Sequence, residues 1–160
     1  MDFDGVFTDN KVFCDAKGNE LVRCCKYDSL ALKIIKNYIK KNDINFQIFI
    51  LSSEENQVVS KRAQKLDIKA YQGIQDKFGF LNNFNNGKNS NRIFNELIFL
   101  GNDINDLASM KEAAFSACPK DSPLIIKKNS NFVANKNGGN GFIREVLEYL
   151  ISPLNLDDIY

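Results

Sequence analysis

Histidine is absent from the 160-residue sequence, and only three prolines occur. Without histidine, a Ser-His or Cys-His nucleophile pair, a histidine base and a histidine-ligated metal are all excluded. Acid–base chemistry must therefore use Asp, Glu, Lys, Tyr or Cys side chains. The sequence also lacks internal repeats and any linker rich in Pro, Gly or Ser, so its length predicts a single domain spanning residues 1–160.

An excess of charge of one sign is also absent, because 21 Lys and Arg residues face 20 Asp and Glu residues, for a net charge of +1. Proteins that bind nucleic acid or anionic membranes normally carry a basic excess, so neither partner is expected. No apolar run reaches the roughly 20 residues that span a bilayer. The acidic N-terminus lacks the basic and apolar regions of a signal peptide. We therefore expect a cytoplasmic protein.

The four cysteines show no C-x-x-C spacing, and Cys24 and Cys25 are adjacent. Adjacent side chains on a strand point to opposite faces of the sheet. This pattern favours neither a zinc site nor a disulfide framework. The cysteines are therefore predicted to be reduced structural thiols.

Short apolar runs alternate with segments of helical periodicity along the chain. Residues 12–25 predict a β-hairpin, and a helix is predicted from Asp28, which can serve as its N-cap. Residues 85–91 form the most turn-like stretch. The alternation predicts an α/β fold with a parallel sheet flanked by helices. Strands are expected at residues 46–51, 70–71, 97–100, 115–118 and 132–134, and helices at about 54–66, 76–84, 104–113 and 142–151.

Two carboxylates stand at the start of the chain, where Asp2 and Asp4 precede Gly5 in a turn. Ligands of parallel α/β sheets bind beyond the carboxyl ends of the strands, so polar residues at such positions are candidates for a site. Close carboxylates repel each other and favour a divalent cation or a shared proton. An Asp-rich turn without function is the alternative for this motif.

Polar residues follow two further predicted strands. Ser52, Ser53 and Glu54 come after the strand at 46–51, where the hydroxyls can bind a phosphate oxygen or cap a helix. Lys77 lies near the start of a helix, against the helix dipole, which indicates an anionic partner. A solvated surface charge is the alternative for Lys77.

A last group of oxygen ligands, Asn102, Asp103 and Asp106, follows the strand at 97–100 and suits Mg²⁺. The resulting order Asp, Ser, Lys, Asp at successive strand ends resembles the haloacid-dehalogenase-like (HAD) superfamily of aspartate-nucleophile phosphatases. The resemblance covers nearly the whole chain and implies a Rossmann-like HAD fold with a small β-hairpin flap and no large cap domain. The matching stretches are DFDGVFTDN, KYDSLALKIIK, ILSSEEN, RAQKL, YQGIQDK, FLGNDINDL and NGGNGFIREV.

The resemblance is closest to the capless branch of 3-deoxy-octulosonate 8-phosphate phosphatases and nonulosonic acid 9-phosphate phosphatases, which also includes a phosphatase-like domain of acylneuraminate cytidylyltransferases. It implies that Asp2 is the nucleophile and that Asp4 is the acid and base. Ser52 and Lys77 would hold the phosphoryl group. The implied cofactor is Mg²⁺, with ligands drawn from Asp2, Asp4, Asn102, Asp103 and Asp106.

Two features depart from the family pattern. Asn102 stands where the family usually has an Asp that ligates the metal, although the G-N-D variant resembles the cytidylyltransferase-linked members. Only Met1 precedes Asp2, whereas members of the family carry an apolar strand before the nucleophile. We therefore expect the first strand to be truncated, with unpaired backbone groups beside it.

Substrate specificity must come from residues outside these motifs. Ser53 and Glu54 resemble the nonulosonic acid members, since the octulosonate phosphatases usually have Gly-Arg there. Arg62 and Lys65 match positions that would bind the carboxylate of the sugar, with a solvated helix face as the alternative. Asp28 matches a substrate-facing element, and a plain N-cap is its alternative.

The resemblance also implies a homotetramer in which a neighbouring subunit covers the active site. The hairpin at 12–25 and the segment at 138–141 before Arg144 are the candidates for this contact, although the hairpin's apolar residues can also pack on their own domain. The predicted function is a Mg²⁺-dependent phosphomonoesterase acting on a phosphorylated sialic-type (nonulosonic) sugar acid. The alternatives are an octulosonate 8-phosphate phosphatase and a weakly active or non-catalytic domain of an acylneuraminate cytidylyltransferase.

Overall fold

The computed structural model describes residues 1–84 and 94–151, in which strands and helices alternate along the chain. The predicted turn at 85–91 lies outside the described residues. The strands are β1 (Thr8–Cys14), β2 (Glu20–Cys24), β3 (Phe49–Leu51), β4 (Lys69–Tyr71), β5 (Ile98–Leu100), β6 (Phe115–Cys118) and β7 (Phe132–Val133). The helices are α1 (Lys26–Lys41), α2 (Gln57–Leu66), α3 (Lys77–Asn83), α4 (Leu107–Glu112), α5 (Leu124–Lys128) and α6 (Phe142–Ile151), with a 3₁₀ turn at Ile104–Asp106 before α4.

The parallel strands form two groups that the first residues of the chain connect. β3 pairs with β4, and β5, β6 and β7 pair in that order, all in parallel. The Leu51 N–H donates to the Met1 carbonyl at 2.8 Å, and the Asp2 N–H donates to the Leu100 carbonyl at 2.9 Å. Met1 and Asp2 therefore lie between β3 and β5, which places Asp2 at the edge where both strands end.

Two clusters of buried apolar side chains lie around this sheet. The first includes Phe3, Leu32 and Ile50, and the second includes Leu51, Leu81 and Phe99. Ile50 and Leu51 are adjacent on β3 and belong to different clusters, so the strand is buried on both of its faces. An apolar run without alternation is the pattern that such burial requires. None of the helices in the described ranges is long and apolar enough to cross a membrane.

The sequence predicted the hairpin, the strand at 115–118 and the helix at 142–151 correctly. Other boundaries differ. β3 begins at Phe49 rather than at residue 46, and α2 begins at Gln57 with Asn56 as its N-cap, rather than at residue 54. The short helix α5 was not predicted.

The prediction that Asp28 caps its own helix is wrong. α1 begins at Lys26, which places the buried Asp28 within its first turn. Its carboxylate instead accepts hydrogen bonds from the N–H groups of Gly141 (3.2 Å) and Arg144 (2.9 Å) at the start of α6. Asp28 therefore caps a different helix, which lies more than a hundred residues away in the sequence.

Candidate active site

Hydrogen bonds to the carboxylates of Asp2 and Asp4 fix the turn that begins at Asp2. The Phe3 N–H donates to Asp2 Oδ1 at 2.7 Å. Thr8 Oγ1 donates to Asp4 Oδ1 at 3.3 Å and accepts from the Gly5 N–H at 3.2 Å. Gly5 adopts a φ of +76°, and a Cβ there would lie 1.9 Å from the side-chain nitrogen of Asn102. This position therefore needs glycine both for its backbone conformation and for the close approach of Asn102.

Lys77 is fully buried and forms the electrostatic centre of the site. Its Nζ lies 2.6 Å from Asp2 Oδ1 and 2.7 Å from Asp106 Oδ1. Lys77 is the first residue of α3, where a positive charge is unfavourable to the helix dipole. The two carboxylates offset this cost, so the predicted anionic partner is confirmed and the solvated-charge alternative is wrong.

Asp106 holds the neighbouring loop as well as the lysine. Asp106 is completely buried, and its Oδ2 accepts a hydrogen bond from the main-chain N–H of Asn102 at 2.9 Å. A Cβ on Gly101 would lie 2.6 Å from the Cβ of Asp106, so glycine allows this close contact. Asp103 Oδ1 accepts from the Ile104 N–H and caps the 3₁₀ turn. Asp106 and Asp103 therefore position the loop that presents Asn102.

The side-chain amide of Asn102 points at two oxygens of the first turn. One of its terminal atoms lies 2.8 Å from the main-chain oxygen of Asp4 and 3.2 Å from Asp2 Oδ2. With nitrogen at this position, the amide donates hydrogen bonds to both oxygens. With oxygen there, three oxygens converge on one point, as they do around a bound hard cation. The residues present therefore fit a Mg²⁺ ion.

The three converging atoms of Asp2, Asp4 and Asn102 do not form a metal site built from charged side chains alone. Across residues 1–84 and 94–151, no three Asp, Glu or Cys side chains are arranged to hold one metal ion. A cation beside Asp2 would therefore depend on the main-chain oxygen of Asp4 and on the neutral amide of Asn102. Both are ligand types that Mg²⁺ accepts together with carboxylates and water.

Burial shifts the protonation equilibria of both carboxylates in the turn. Burial and, to a smaller extent, the charge of Asp106 raise the pKa of Asp2 to about 7, although Lys77 opposes this shift. Burial also raises the pKa of Asp4, while the hydrogen bond from Thr8 opposes the increase. A divalent cation next to Asp2 would favour its charged form.

The loop after β3 places Ser52 beside the first turn, because its neighbour Leu51 pairs with Met1. Ser52 is buried, and its Oγ accepts a hydrogen bond from the Glu54 N–H at 3.1 Å. Its hydroxyl still has a hydrogen to donate. Asn56 is the N-cap of α2, so the alternative that Ser52 is the cap is wrong.

Ser53 and Glu54 mainly hold this loop in place. Ser53 Oγ donates to the Ile74 carbonyl at 3.0 Å, which ties the loop after β3 to the loop before α3. The exposed Glu54 accepts hydrogen bonds from the N–H groups of Glu55 and Asn56, both at 2.8 Å. The negative charge of Glu54 also raises the pKa of Asp4, although less than burial does. Both residues therefore lie at the rim of the site.

Two residues near the site were not predicted from the sequence. Asn56 Nδ2 donates to Glu20 Oε2 at 2.9 Å, which ties the hairpin to the start of α2. The charge of Glu20 contributes to the raised pKa of Asp4. Asn56 ends the matching stretch ILSSEEN but was given no role, Glu20 belongs to no such stretch, and only the docking of the hairpin brings the two together.

The remaining predicted substrate-binding residues are Asp28, Arg62 and Lys65. Asp28 is buried against the start of α6, and Arg62 donates to Ser29 Oγ, with no partner for its buried Nε. Lys65 is exposed in the last turn of α2, at the end opposite to the carboxyl ends of the strands. Asp28 therefore contacts the start of α6, and Arg62 lies between α1 and α2. The substrate-binding roles of Asp28, Arg62 and Lys65 stay predictions.

The glycine-rich segment before α6 packs beneath the first turn of its own chain. The Gly139 N–H donates to the Val6 carbonyl at 3.1 Å, and a Cβ on Gly138 would lie 1.9 Å from the Gly5 carbonyl oxygen. This segment supports the active-site turn rather than projecting outwards. On the hairpin, Val12, Phe13 and Leu21 are exposed, whereas Val22 and Cys24 pack against the core of their own domain. The alternative that the hairpin packs on its own domain therefore holds only for Val22 and Cys24. The homotetramer itself stays a prediction.

Comparisons with known proteins agree with this architecture, although no family model matches the chain. The structure of a HAD family hydrolase from Streptomyces avermitilis is 30% identical, with a TM-score of 0.80, over 95% of this chain and 83% of that one. The 3-deoxy-D-manno-octulosonate 8-phosphate phosphatase of Moraxella catarrhalis, solved with magnesium, phosphate and a KDO molecule, is 25% identical with a TM-score of 0.82 over the same shares.

Curated proteins give related matches. The 3-deoxy-D-manno-octulosonate 8-phosphate phosphatase KdsC of Haemophilus influenzae is 24% identical over 160 residues, which are 99% of this chain and 84% of that protein. The N-acylneuraminate cytidylyltransferase of Oncorhynchus mykiss is 22% identical over 151 residues. That match covers 92% of this chain but only 33% of the cytidylyltransferase. The matches confirm the fold that the sequence predicted, with no large cap.

Proposed function

Because the chain belongs to the HAD family of hydrolases and is an enzyme of the phosphatase type, we propose that it hydrolyses a phosphate monoester of a sugar acid through phosphorylation of Asp2. The observation that carries the proposal is the buried amine of Lys77 between Asp2 and Asp106. A fixed positive charge beside the attacking carboxylate reduces its repulsion of an anionic phosphate.

In the first half of the reaction, a carboxylate oxygen of Asp2 attacks phosphorus, and the bond between phosphorus and the sugar oxygen breaks. The sugar oxygen leaves as an alkoxide and takes a proton from the Asp4 carboxyl group. The raised pKa of Asp4 supports this role, because it increases the fraction of the carboxyl group that holds a proton to donate. Thr8 fixes the direction of the group through its hydrogen bond at 3.3 Å.

In the second half, water attacks phosphorus in the aspartyl phosphate, and the Asp4 carboxylate accepts the proton of that water. The bond between phosphorus and the Asp2 oxygen breaks, which releases inorganic phosphate and restores the Asp2 carboxylate and the protonated Asp4 carboxyl group. Lys77 and the Ser52 hydroxyl hold the phosphoryl oxygens in both halves. Asp106 keeps the Lys77 amine in place at 2.7 Å while Asp2 carries the phosphoryl group.

The proposed cofactor is Mg²⁺, which when bound would neutralise charge on the transferred phosphoryl group. Asp2 Oδ2, the Asp4 main-chain oxygen and the Asn102 amide would hold it, since these groups converge in the structure. The neutral amide of Asn102 provides no negative charge. Asp103 caps the 3₁₀ turn close by and is the proposed source of additional charge near the ion.

Two sugar acids are candidates for the substrate. Octulosonate 8-phosphate is supported by the Haemophilus influenzae relative, of which this chain covers 84%. A nonulosonate 9-phosphate is supported by Ser53 and Glu54 at the rim of the site, where Glu54 is exposed and can accept hydrogen bonds from a polyol or an N-acyl group. Glu20 lies on the same side and adds a second acceptor.

The test is a phosphate-release screen with and without Mg²⁺ over octulosonate 8-phosphate, nonulosonate 9-phosphates and p-nitrophenyl phosphate. We expect release that requires Mg²⁺, is lost with a chelator and is fastest on one of the sugar acids. Equal, slow rates on all substrates would contradict the proposed specificity. No release from any substrate would contradict the phosphatase proposal and support a non-catalytic domain.

The role of Asp4 has a separate test, because an acid matters most when the leaving group is poor. Asp4→Asn should nearly abolish turnover of the sugar phosphate. The same variant should still form the phosphorylated enzyme from p-nitrophenyl phosphate, whose leaving group needs no proton. Equal losses on both substrates in the first step would exclude Asp4 as the acid.

A further inference from the structure

Asp28 is a buried carboxylate to which the proposed chemistry gives no role. Its Oδ2 accepts a hydrogen bond from the Gly141 N–H at 3.2 Å, and its Oδ1 accepts from the Arg144 N–H at 2.9 Å. Burial raises the pKa of Asp28, although the N–H groups of Arg144, Gly141 and Ile143 oppose this shift. The fold therefore keeps a carboxylate at a position where burial disfavours its charge.

A carboxylate at this position makes contacts that a neutral amide cannot make. As helix caps, Asn and Asp side chains are about equally effective, so capping alone does not require a buried charge. An amide has one acceptor oxygen, whereas Asp28 uses both carboxylate oxygens on two different residues. Asp28 therefore fixes the end of the glycine-rich segment 138–141 together with the first turn of α6.

A second carboxylate holds the other end of the segment 138–141. Asp121 Oδ1 accepts a hydrogen bond from the Gly138 N–H at 3.1 Å. The segment is thus attached at its first residue to Asp121 and at its last residue to Asp28. These attachments restrict glycines, which have more conformational freedom to lose than other residues.

Between these two attachments, the segment packs directly against the main chain of the active-site turn. A Cβ on Gly138 would lie 1.9 Å from the carbonyl oxygen of Gly5. A Cβ on Gly139 would lie 2.4 Å from the carbonyl carbon of Thr8. Because these distances leave no room for a side chain, any shift of the segment changes the space available to the turn.

Thr8 connects this contact to the proposed acid. Its Oγ1 donates a hydrogen bond to Asp4 Oδ1 at 3.3 Å. Asp2 is held by other groups, because its carboxylate contacts Lys77 at 2.6 Å and its N–H donates to the carbonyl of Leu100 in β5. A shift of the segment would therefore move Thr8 and Asp4 and leave the nucleophile in place.

We propose that Asp28 is a positioning residue for Asp4, acting through the segment 138–141, a role that rests on the proposed phosphatase function. Asp28 fixes the segment, the segment supports the backbone at Thr8, and Thr8 orients the Asp4 carboxyl group. A catalytic group displaced by about 1 Å can lose about a hundredfold in rate, so support at this distance affects turnover. This role requires no contact between Asp28 and the substrate.

The experiment measures kcat/KM of Asp28→Ala and Asp28→Asn on phenyl phosphate and p-nitrophenyl phosphate. An acid matters most when the leaving group is poor, as it is in phenyl phosphate. Asp28→Ala should lower kcat/KM about tenfold or more on phenyl phosphate and less than about twofold on p-nitrophenyl phosphate. Asp28→Asn keeps one acceptor oxygen and should lose less. Neither substrate contains a sugar, so a lost contact between Asp28 and a sugar cannot cause this difference.

Val146→Ala is the control, because it removes a buried side chain from α6 and leaves Asp28 and the segment 138–141 unchanged. It should lower stability and keep the wild-type ratio of the two kcat/KM values. A wild-type ratio in Asp28→Ala would overturn the proposal, and so would an equal change of the ratio in Val146→Ala. Asp28→Asn carries the comparison if Asp28→Ala does not fold.

Amide hydrogen exchange separates this proposal from the proposed function, because it needs no turnover. After correction for global stability, exchange at Gly5 and Gly139 should be about tenfold faster in Asp28→Ala than in Val146→Ala. If the wild type releases no phosphate, the proposed function is contradicted, whereas faster exchange at Gly5 still supports the link from Asp28 to the turn. Equal exchange at both glycines in the two variants would overturn that link, whether or not the wild type is active.

Discussion

Replacing Asn102 by Asp tests the metal site most informatively, because the change adds one negative charge where oxygens converge. The altered oxygen would lie about 3 Å from Asp2 Oδ2, since the amide atom of Asn102 is 3.2 Å away from it. Two unit charges at such a separation interact by about 5 kcal/mol at an effective dielectric constant of about 20. Protonation of Asp2, whose pKa burial raises to about 7, would relieve part of this repulsion.

Without metal, Asn102→Asp should therefore destabilise the protein, by up to about 5 kcal/mol before protonation. With Mg²⁺, the two carboxylates share the cation, and we expect the dissociation constant to fall about tenfold or more, which corresponds to about 1.4 kcal/mol. The signature is a variant that is less stable than the wild type in a chelator and gains more stability from Mg²⁺.

The assay is a Mg²⁺ titration followed by calorimetry and by the Tm, so it does not depend on turnover. Asn105→Asp is the matched control, because it makes the same chemical change at an exposed position in the same loop. The control should leave Mg²⁺ affinity nearly unchanged. Equal affinities in the wild type and Asn102→Asp would refute the assignment of residue 102 as a ligand, and Asp103 would become the candidate.

Three further substitutions test the surrounding architecture. Lys77→Met leaves Asp2 and Asp106 buried without a counter-charge and should cost about 3–5 kcal/mol in denaturant unfolding; an unchanged midpoint would contradict the buried ion pairs. Asp28→Ala removes the cap of α6 and should cost about 0.5–2 kcal/mol, whereas wild-type stability would exclude capping. Gly5→Ala should lower both stability and Mg²⁺ affinity, because its Cβ would meet the amide of Asn102 at 1.9 Å. Unaltered Mg²⁺ affinity would show that this contact does not position the metal site.

The sequence was most informative where one local pattern determines the structure. The strand at 115–118 is a short apolar run buried in a parallel sheet, and the helix at 142–151 has a continuous apolar stripe. The grouping of the site residues was also predictable from the sequence, because it follows from where the strands end. Ser52 and Asn102 come after β3 and β5, Lys77 begins the helix after β4, and Asp2 lies between β3 and β5. Parallel strands end at the same edge, so the topology brings these residues together.

The features that escaped prediction depend on contacts between distant parts of the chain. Asp28 looks like a helix cap in its local sequence, but its partners Gly141 and Arg144 come from the far end of the chain. Glu20 and Asn56 meet only when the hairpin docks. Local propensity cannot show such dependence.

The assignment of Asp2 as the nucleophile is tested most directly by Mg²⁺-dependent phosphate release from Asp2→Asn, measured beside the wild type on the best substrate of the screen. Asp43→Asn is the matched control, because it makes the same change at an exposed residue whose left-handed backbone, with a φ of 50°, suits asparagine. The control should release phosphate at the wild-type rate. Folded Asp2→Asn should release no measurable phosphate, since the attacking carboxylate is gone. Phosphate release at the wild-type rate from folded Asp2→Asn would contradict the account.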